Sequence, residues 1–306
     1  MERAPTPSEP IAFQYMEIVL DPLAPNARGV WSAPGIGVRR RTGPHRPHRQ
    51  SNTVCTPRFC IRRDDTFLVV EHDLAPEELS DELAVQLAEQ LVDSGLVRGQ
   101  SEFESVFTGV VRSTVEGATP AWLRFYRNSL ARLEGGTTAF APVHERAASL
   151  IRGGQVLDLG SCFGFFPLRL KLLGIDVTAT DLSGPTMDLL QLASVSLQRP
   201  LRTLCCDAAE VPRPDRCVDT VTALHLLEHL PDATIDAVAR EAVRLARHRV
   251  VIAVPFEDEP RACYGHIQRF DLPRLHLLGA RLCDEYPGLS ATVTEFHGGW
   301  LILDQP

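Results

Sequence analysis

From Gly154 onward the chain alternates short apolar segments with amphipathic ones, and this rhythm constrains the fold more than any other feature. Strand candidates fall at 155–159, 175–180, 201–206, 218–224 and 249–254, and helical periodicity occupies 165–173, 185–197 and 233–247 between them. Strands that short and that apolar, separated by helices, predict a parallel sheet covered on both faces. The last stretch differs: 291–296, a His297-Gly298-Gly299 turn and 300–303 predict an antiparallel hairpin at one sheet edge. The expected fold is therefore α/β, with a seven-stranded, mostly parallel sheet.

The chain divides into three parts. Residues 1–54 hold eight prolines, and seven arginines against four acids, so they are expected to be disordered or loosely packed. The Arg39–Arg49 stretch reads as a solvated tail, with a phosphate-binding arm as its rival. Residues 55–138 are expected to form a mainly helical cap that shapes an acceptor site. Here 62–70 reads as a strand, 80–95 as a helix burying Ala84, Leu87, Ala88, Leu91 and Val92, and 122–133 as a second helix. Residues 139–306 carry the α/β domain, entered through a helix at 144–151.

Composition excludes several classes. The net charge is −8, of which the first 54 residues contribute +3 and the remainder −11. An acidic body disfavours nucleic acid as the partner. No apolar run approaches the roughly 20 residues of a membrane span, and the N-terminus lacks the apolar core of a secretory signal. The eight cysteines (55, 60, 162, 205, 206, 217, 263, 283) contain no CxxC pair, so they are expected to be reduced thiols of a cytoplasmic protein. No metal site is expected; a zinc set built on Cys55 and Cys60 has poor spacing.

The chemistry concentrates at strand ends. The first strand runs into Asp158-x-Gly160-x-x-x-Gly164, where glycines permit close backbone approach to a ligand. Its glycines do not fit the G-x-G-x-x-G pattern of dinucleotide oxidoreductases, and the terminal hairpin argues against that class. Asp181 ends the second strand, Asp207 follows the third, and Leu224-His225-Leu226-Leu227-Glu228-His229 follows the fourth. Val254-Pro255-Phe256-Glu257 follows the fifth.

This ordered set resembles the class I S-adenosylmethionine (SAM)-dependent methyltransferases over roughly residues 140–305, which implies their Rossmann-like fold. The resemblance implies SAM as cofactor, with Asp158, Gly160, Ser161, Cys162 and Gly164 along its methionine part. It further implies Asp181 and Leu182 at the ribose, Asp207 and Ala208 at the adenine, and His225 beside the methyl group. Many family members carry glycine where this chain has Cys162. A methyl acceptor needs a positioned base, and the candidates are His225, Glu228, His229 and His266, with His266 the first choice. Arg124, Tyr126 and Arg127 are candidates to reach the SAM carboxylate or the acceptor.

Within the family, the segments 159–167 and 221–229 and the His297-Gly-Gly ending are similar to the mycofactocin oligosaccharide methyltransferases, which implies a sugar hydroxyl as acceptor. The expected activity is O-methyl transfer to a small molecule or an oligosaccharide. Two rivals remain: an RNA methyltransferase using the basic arm, and a degenerate SAM-binding regulator suggested by Cys162.

Overall fold

The computed structural model describes residues 21–27, 29–41 and 52–306. The C-terminal sheet has seven strands: β6 (Gln155–Leu159), β7 (Asp176–Asp181), β8 (Arg202–Cys205), β9 (Val218–Leu224), β10 (Ala246–Val254), β11 (Ser290–Glu295) and β12 (Gly299–Asp304). Their order is β11-β12-β10-β9-β6-β7-β8. The pairs β8–β7, β7–β6, β6–β9 and β9–β10 are parallel, whereas β12 runs antiparallel to both β10 and β11. The α/β, Rossmann-like expectation holds, terminal hairpin included.

Alternate strand residues feed two cores, as a pleat with period 2 requires. Val156, Val177, Ala179, Val251 and Ala253 face one core, together with Phe166, Leu168, Leu189 and Leu190. Those last four belong to α5 (Phe165–Leu172) and α6 (Gly184–Ser196). Leu157, Leu159, Val221, Ala223, Val250 and Ile252 face the other, against Ile235, Val238, Leu275 and Leu278 of α7 (Asp232–Leu245) and α8 (Leu272–Glu285). Both faces are therefore dry, which explains why the strands read as apolar runs.

The N-terminal part departs from expectation. It contains a five-stranded sheet in the order β1-β2-β5-β4-β3, built from β1 (Val30–Ala33), β2 (Ile36–Arg40), β3 (Thr53–Cys55), β4 (Phe59–Arg63) and β5 (Leu68–His72). Residues 29–41 and 52–54 are thus not a loose tail. The 55–138 segment, expected to be mainly helical with one strand, also carries β4 and β5, so the single strand expected over 62–70 is a hairpin. Its turn is made by Asp64, whose Oδ1 accepts the Thr66 and Phe67 N–H groups at 2.9 and 2.8 Å. The rest of the expected tail, residues 1–20, 28 and 42–51, lies outside the described residues.

The helices follow as α1 (Leu83–Leu87), which continues as a π-helical turn over Ala88–Val92, then α2 (Gly99–Thr114), α3 (Ala118–Glu134) and α4 (Ala141–Leu150). Helix α2 lies so close to the sheet that a Cβ at Gly109 would come within 2.4 Å of Val38. Residues 21–27 are strapped on by Arg112, buried in α2, whose guanidinium donates to the carbonyls of Pro22 and Ala24. Trp122 Nε1 also donates to the Pro22 carbonyl, at 2.7 Å. The core of this N-terminal part is continuous with the α5–α6 face of the large sheet.

The reduced-thiol expectation is corrected at two positions. Cys55 and Cys60 are direct partners in the antiparallel β3–β4 register and form a disulfide, while the other six cysteines are free. Among the described residues no helix is long and apolar enough to cross a membrane.

Candidate active site

The site lies at the C-terminal edge of the large sheet, where the chain leaves β6 in one direction and β9 in the other. Ligands of open α/β sheets bind at such a switch point. The β6–α5 loop is held in shape from below. Ser161 N–H donates to the Thr180 carbonyl at 2.8 Å, and Thr180 Oγ1 donates to the Asp158 carbonyl at 3.0 Å. Gly160 and Gly164 both adopt left-handed backbone, with φ of +66° and +69°. A Cβ at Gly160 would lie 2.6 Å from Leu226, and one at Gly164 would lie 2.4 Å from Leu190. Both glycines are therefore required by conformation and by space.

Asp158 is buried beneath this loop. Its carboxylate accepts from Thr222 Oγ1 and, at 2.7 Å, from Ser161 Oγ. Burial pushes its carboxyl up to about 6 despite those two hydroxyl donors, with the neighbouring Asp181 adding to the rise. Asp158 thus organises the loop from inside.

Cys162 occupies the loop crest with φ +48°, the region that favours glycine. Its N–H donates to Asp181 Oδ2 at 2.9 Å, while Ser183 N–H donates to Asp181 Oδ1 at 3.0 Å. Cysteine therefore preserves the backbone path that glycine would take. Phe163, next in the chain, anchors the loop in the N-terminal part, with ring centroids 5.8 Å from Phe107, 5.6 Å from Trp122 and 5.2 Å from Phe125.

The residues that the resemblance assigns to SAM line the same edge, and they fit that ligand. Each Asp181 oxygen has taken one backbone donor, so lone pairs remain for two vicinal hydroxyls. Leu182 follows it with 73% of its surface exposed. Asp207 is exposed; its Oδ1 accepts the Ala209 N–H at 2.8 Å, and Ala208 is half-buried beside it. Tyr126 is wholly buried among Phe125, Phe163 and Phe165, and its hydroxyl has no hydrogen-bond partner. Arg124 and Arg127, on the other face of α3, are exposed.

Three of the four candidate bases come together. One ligand-capable atom each of Glu228, His229 and His266 lies within 4.8 Å of the others. Glu228 is fully buried, and its carbonyl accepts the N–H groups of Ile267 and Gln268 at 2.8 and 3.0 Å. That pair of bonds staples the loop after β10 to the loop after β9. The His229 and His266 rings meet edge to face, 4.8 Å between centroids. Burial lowers the His229 pKa, opposed by the adjacent Glu228 carboxylate and reinforced by His266.

His225 stands at the margin. It has φ +55°, packs against Phe140 at 5.1 Å and places Nδ1 3.3 Å from Glu228 Oε1. Sequence reasoning missed the role of Glu257, whose Oε2 lies 2.9 Å from His266 Nδ1 and also accepts the Arg261 N–H at 3.2 Å. An acid just past the fifth strand was the available signal. The His266 loop is pressed against α2: Tyr264 packs edge-on to Phe103 at 5.5 Å, and a Cβ at Gly265 would lie 2.8 Å from Gln100.

Residues 157–254 match a family described as "Methyltransferase domain". Residues 157–254 thus carry a methyltransferase domain. The ubiquinone biosynthesis O-methyltransferase of Chromobacterium violaceum is 35% identical over 107 residues, covering 30% of this chain and 44% of that protein. The protein of the same name from Albidiferax ferrireducens is 32% identical over 85 residues, covering 27% of this chain and 33% of its own length. The chain therefore spans less than half the length of these curated relatives. Among solved structures, magnesium protoporphyrin IX methyltransferase from Synechocystis PCC 6803 with bound SAM is similar to the methyltransferase domain. It has TM-score 0.42 and 17% identity, covering 61% of this chain and 84% of that one.

Proposed function

We propose that the protein transfers the methyl group of SAM to a hydroxyl oxygen of a small molecule or sugar. The observation that carries this reading is the convergence of Glu228, His229 and His266 at the strand edge that also presents the Asp158–Gly164 loop. SAM supplies an electrophilic methyl on a sulfonium, so the protein must hold the acceptor in line and dispose of its proton. A weakly acidic hydroxyl makes the second task the harder one, and two imidazoles with a buried carboxylate suit it. Both curated relatives are named as O-methyltransferases, which supports oxygen as the methylated atom. Asp181 and Leu182 would hold the ribose, and Asp207 with Ala208 the adenine.

For the acceptor we favour a glucose-type hydroxyl, as in the mycofactocin oligosaccharide that the sequence resemblance suggests. An acidic body and a largely buried polar cluster favour a sugar over RNA. The basic stretch contributes less to RNA binding than its composition implies, because its first three residues are engaged in the N-terminal sheet. Arg39 pairs with Glu71, Arg40 donates to the Thr114 carbonyl and Arg41 reaches Asp73 at 3.4 Å. The remaining Arg46 and Arg49 lie outside the described residues. Incubation with methyl-labelled SAM should place label on an oligoglucoside acceptor and not on RNA. Label on RNA, or SAM binding with no transfer to any metabolite extract, would refute the reading.

A further inference from the structure

We propose that Glu228, His229 and His266 form a binding site for one divalent transition-metal ion. Two independent observations point there. The first is the donor set: two imidazoles and one carboxylate, each offering an atom within 4.8 Å of the others. That combination is suited to zinc and its first-row neighbours in catalytic sites that keep a position open. Metal–ligand bonds of about 2.0–2.2 Å would draw the ligand atoms about an ångström closer. His266 sits on a loop and can supply that movement.

The second observation is an unmet need. Glu228 is wholly buried, yet neither carboxylate oxygen has a hydrogen-bond partner. Burying an unpaired carboxylate costs several kcal/mol, and buried charges are found paired or on metals. His225 Nδ1, at 3.3 Å, approaches one oxygen and leaves the other bare. A dication between Glu228 and the two rings would serve both.

The surroundings also have the layout of a metal centre. Metal-bound histidine commonly donates its second nitrogen to a carboxylate, which fixes the tautomer and turns the other nitrogen to the ion. His266 does this through Nδ1 and Glu257, at 2.9 Å. The two carboxylates, Glu228 and Glu257, balance the charge of one dication with both rings neutral. The backbone bonds from Ile267 and Gln268 to the Glu228 carbonyl hold the two ligand-bearing loops together without the ion.

The ion's role in catalysis rests on the O-methyl reading; the binding site does not. With the ion bound, Glu228, His229 and His266 serve as its ligands in place of acting as bases, and an acceptor hydroxyl in the open position would lose its proton to solvent more readily, as metal-bound water does. The acceptor oxygen then bonds to the methyl carbon while the carbon–sulfur pair passes to sulfur. The products are methyl ether, S-adenosylhomocysteine and one proton.

The test uses the full chain, treated with chelator, dialysed, and shown by calorimetry still to bind SAM. Titration with Co2+ followed by visible absorption, and with Zn2+ by calorimetry, should give one ion per chain. Glu228→Gln and His266→Asn should each weaken Co2+ binding about a hundredfold while SAM affinity stays within twofold. His248→Asn, at an exposed histidine elsewhere, should change nothing. Absence of stoichiometric Co2+ uptake, or equal uptake by Glu228→Gln and His266→Asn, would overturn the site. If Glu228→Gln fails to fold, His266→Asn decides alone. Stoichiometric binding that leaves chelator-treated protein fully active would uphold the site and overturn its catalytic role. Binding with no transfer to any hydroxyl would uphold the site and overturn the O-methyl reading.

Discussion

His266 Nδ1 faces Glu257 Oε2 at 2.9 Å, and this contact fixes which nitrogen is left for chemistry. A carboxylate can only accept, so Nδ1 carries the proton and Nε2 is the nitrogen that presents the lone pair in the neutral ring. That lone pair serves either as a base toward the acceptor or as a ligand to the proposed ion, not as both at once.

Glu257 is accordingly a positioning residue, and its substitution should separate turnover from cofactor binding. Glu257→Ala removes the acceptor and should lower kcat about 10- to 100-fold, the usual cost of losing such a partner. Glu257→Gln keeps an amide oxygen that can accept from Nδ1 and should recover part of that loss. KM for SAM should move less than twofold in either variant. Equal kcat in wild type and Glu257→Ala, measured with saturating acceptor, would remove Glu257 from the mechanism.

Asp181 joins the cofactor edge to the β6–α5 loop, taking Cys162 N–H on one oxygen and Ser183 N–H on the other. Hydrogen bonds to a charged group contribute roughly 1.5–3 kcal/mol each. Losing the two proposed ribose contacts in Asp181→Ala should therefore weaken SAM binding by roughly 100-fold or more by calorimetry. The melting temperature without SAM should fall by only a few degrees, because the carboxylate is partly exposed and the loop keeps its bonds to Thr180. Unchanged SAM affinity would remove Asp181 from the cofactor site.

What could be read in the sequence followed from local physics. β6, β7, β9 and β10 are largely buried on both faces, so each shows as an apolar run of strand length, and the acids that end β6 and β7 stand where such sheets bind ligands. The N-terminal sheet was hidden because its pairings are remote: β2 lies parallel to β5, Ile36 opposite Leu68, across a segment rich in proline and arginine. Pro34-Gly35 at the β1–β2 turn was the one legible sign, since that dipeptide marks a turn. Helix α2 escaped notice for a different reason. Eleven of its residues are buried, so it has no clean polar stripe, and Gly109 and its β-branched residues weaken local propensity. At the site, Glu228 and His229 are neighbours in sequence, but their meeting with His266 depends on two loops stapled through a backbone carbonyl. No spacing rule encodes that contact.

Asp158 gives the protein a pH dependence whose sign follows from its burial. In the folded chain its carboxyl is raised from 3.8 to about 6, so folding favours the protonated form. The stability this group contributes is thus fully present below about pH 4, is lost as pH rises toward 6, and stays constant above that. A rise of about two pKa units corresponds to roughly 3 kcal/mol. Asp158→Asn cannot ionise, and its amide can retain contact with Ser161 and Thr222. Relative to wild type, the variant should therefore gain roughly 3 kcal/mol of unfolding free energy between pH 4 and pH 7. Urea unfolding without SAM, at half-unit steps across that range, measures the gap. A difference that stays flat across the range would mean that the carboxylate is ionised at no cost beneath the loop, and that Asp158 is stabilised there by something other than Ser161 and Thr222.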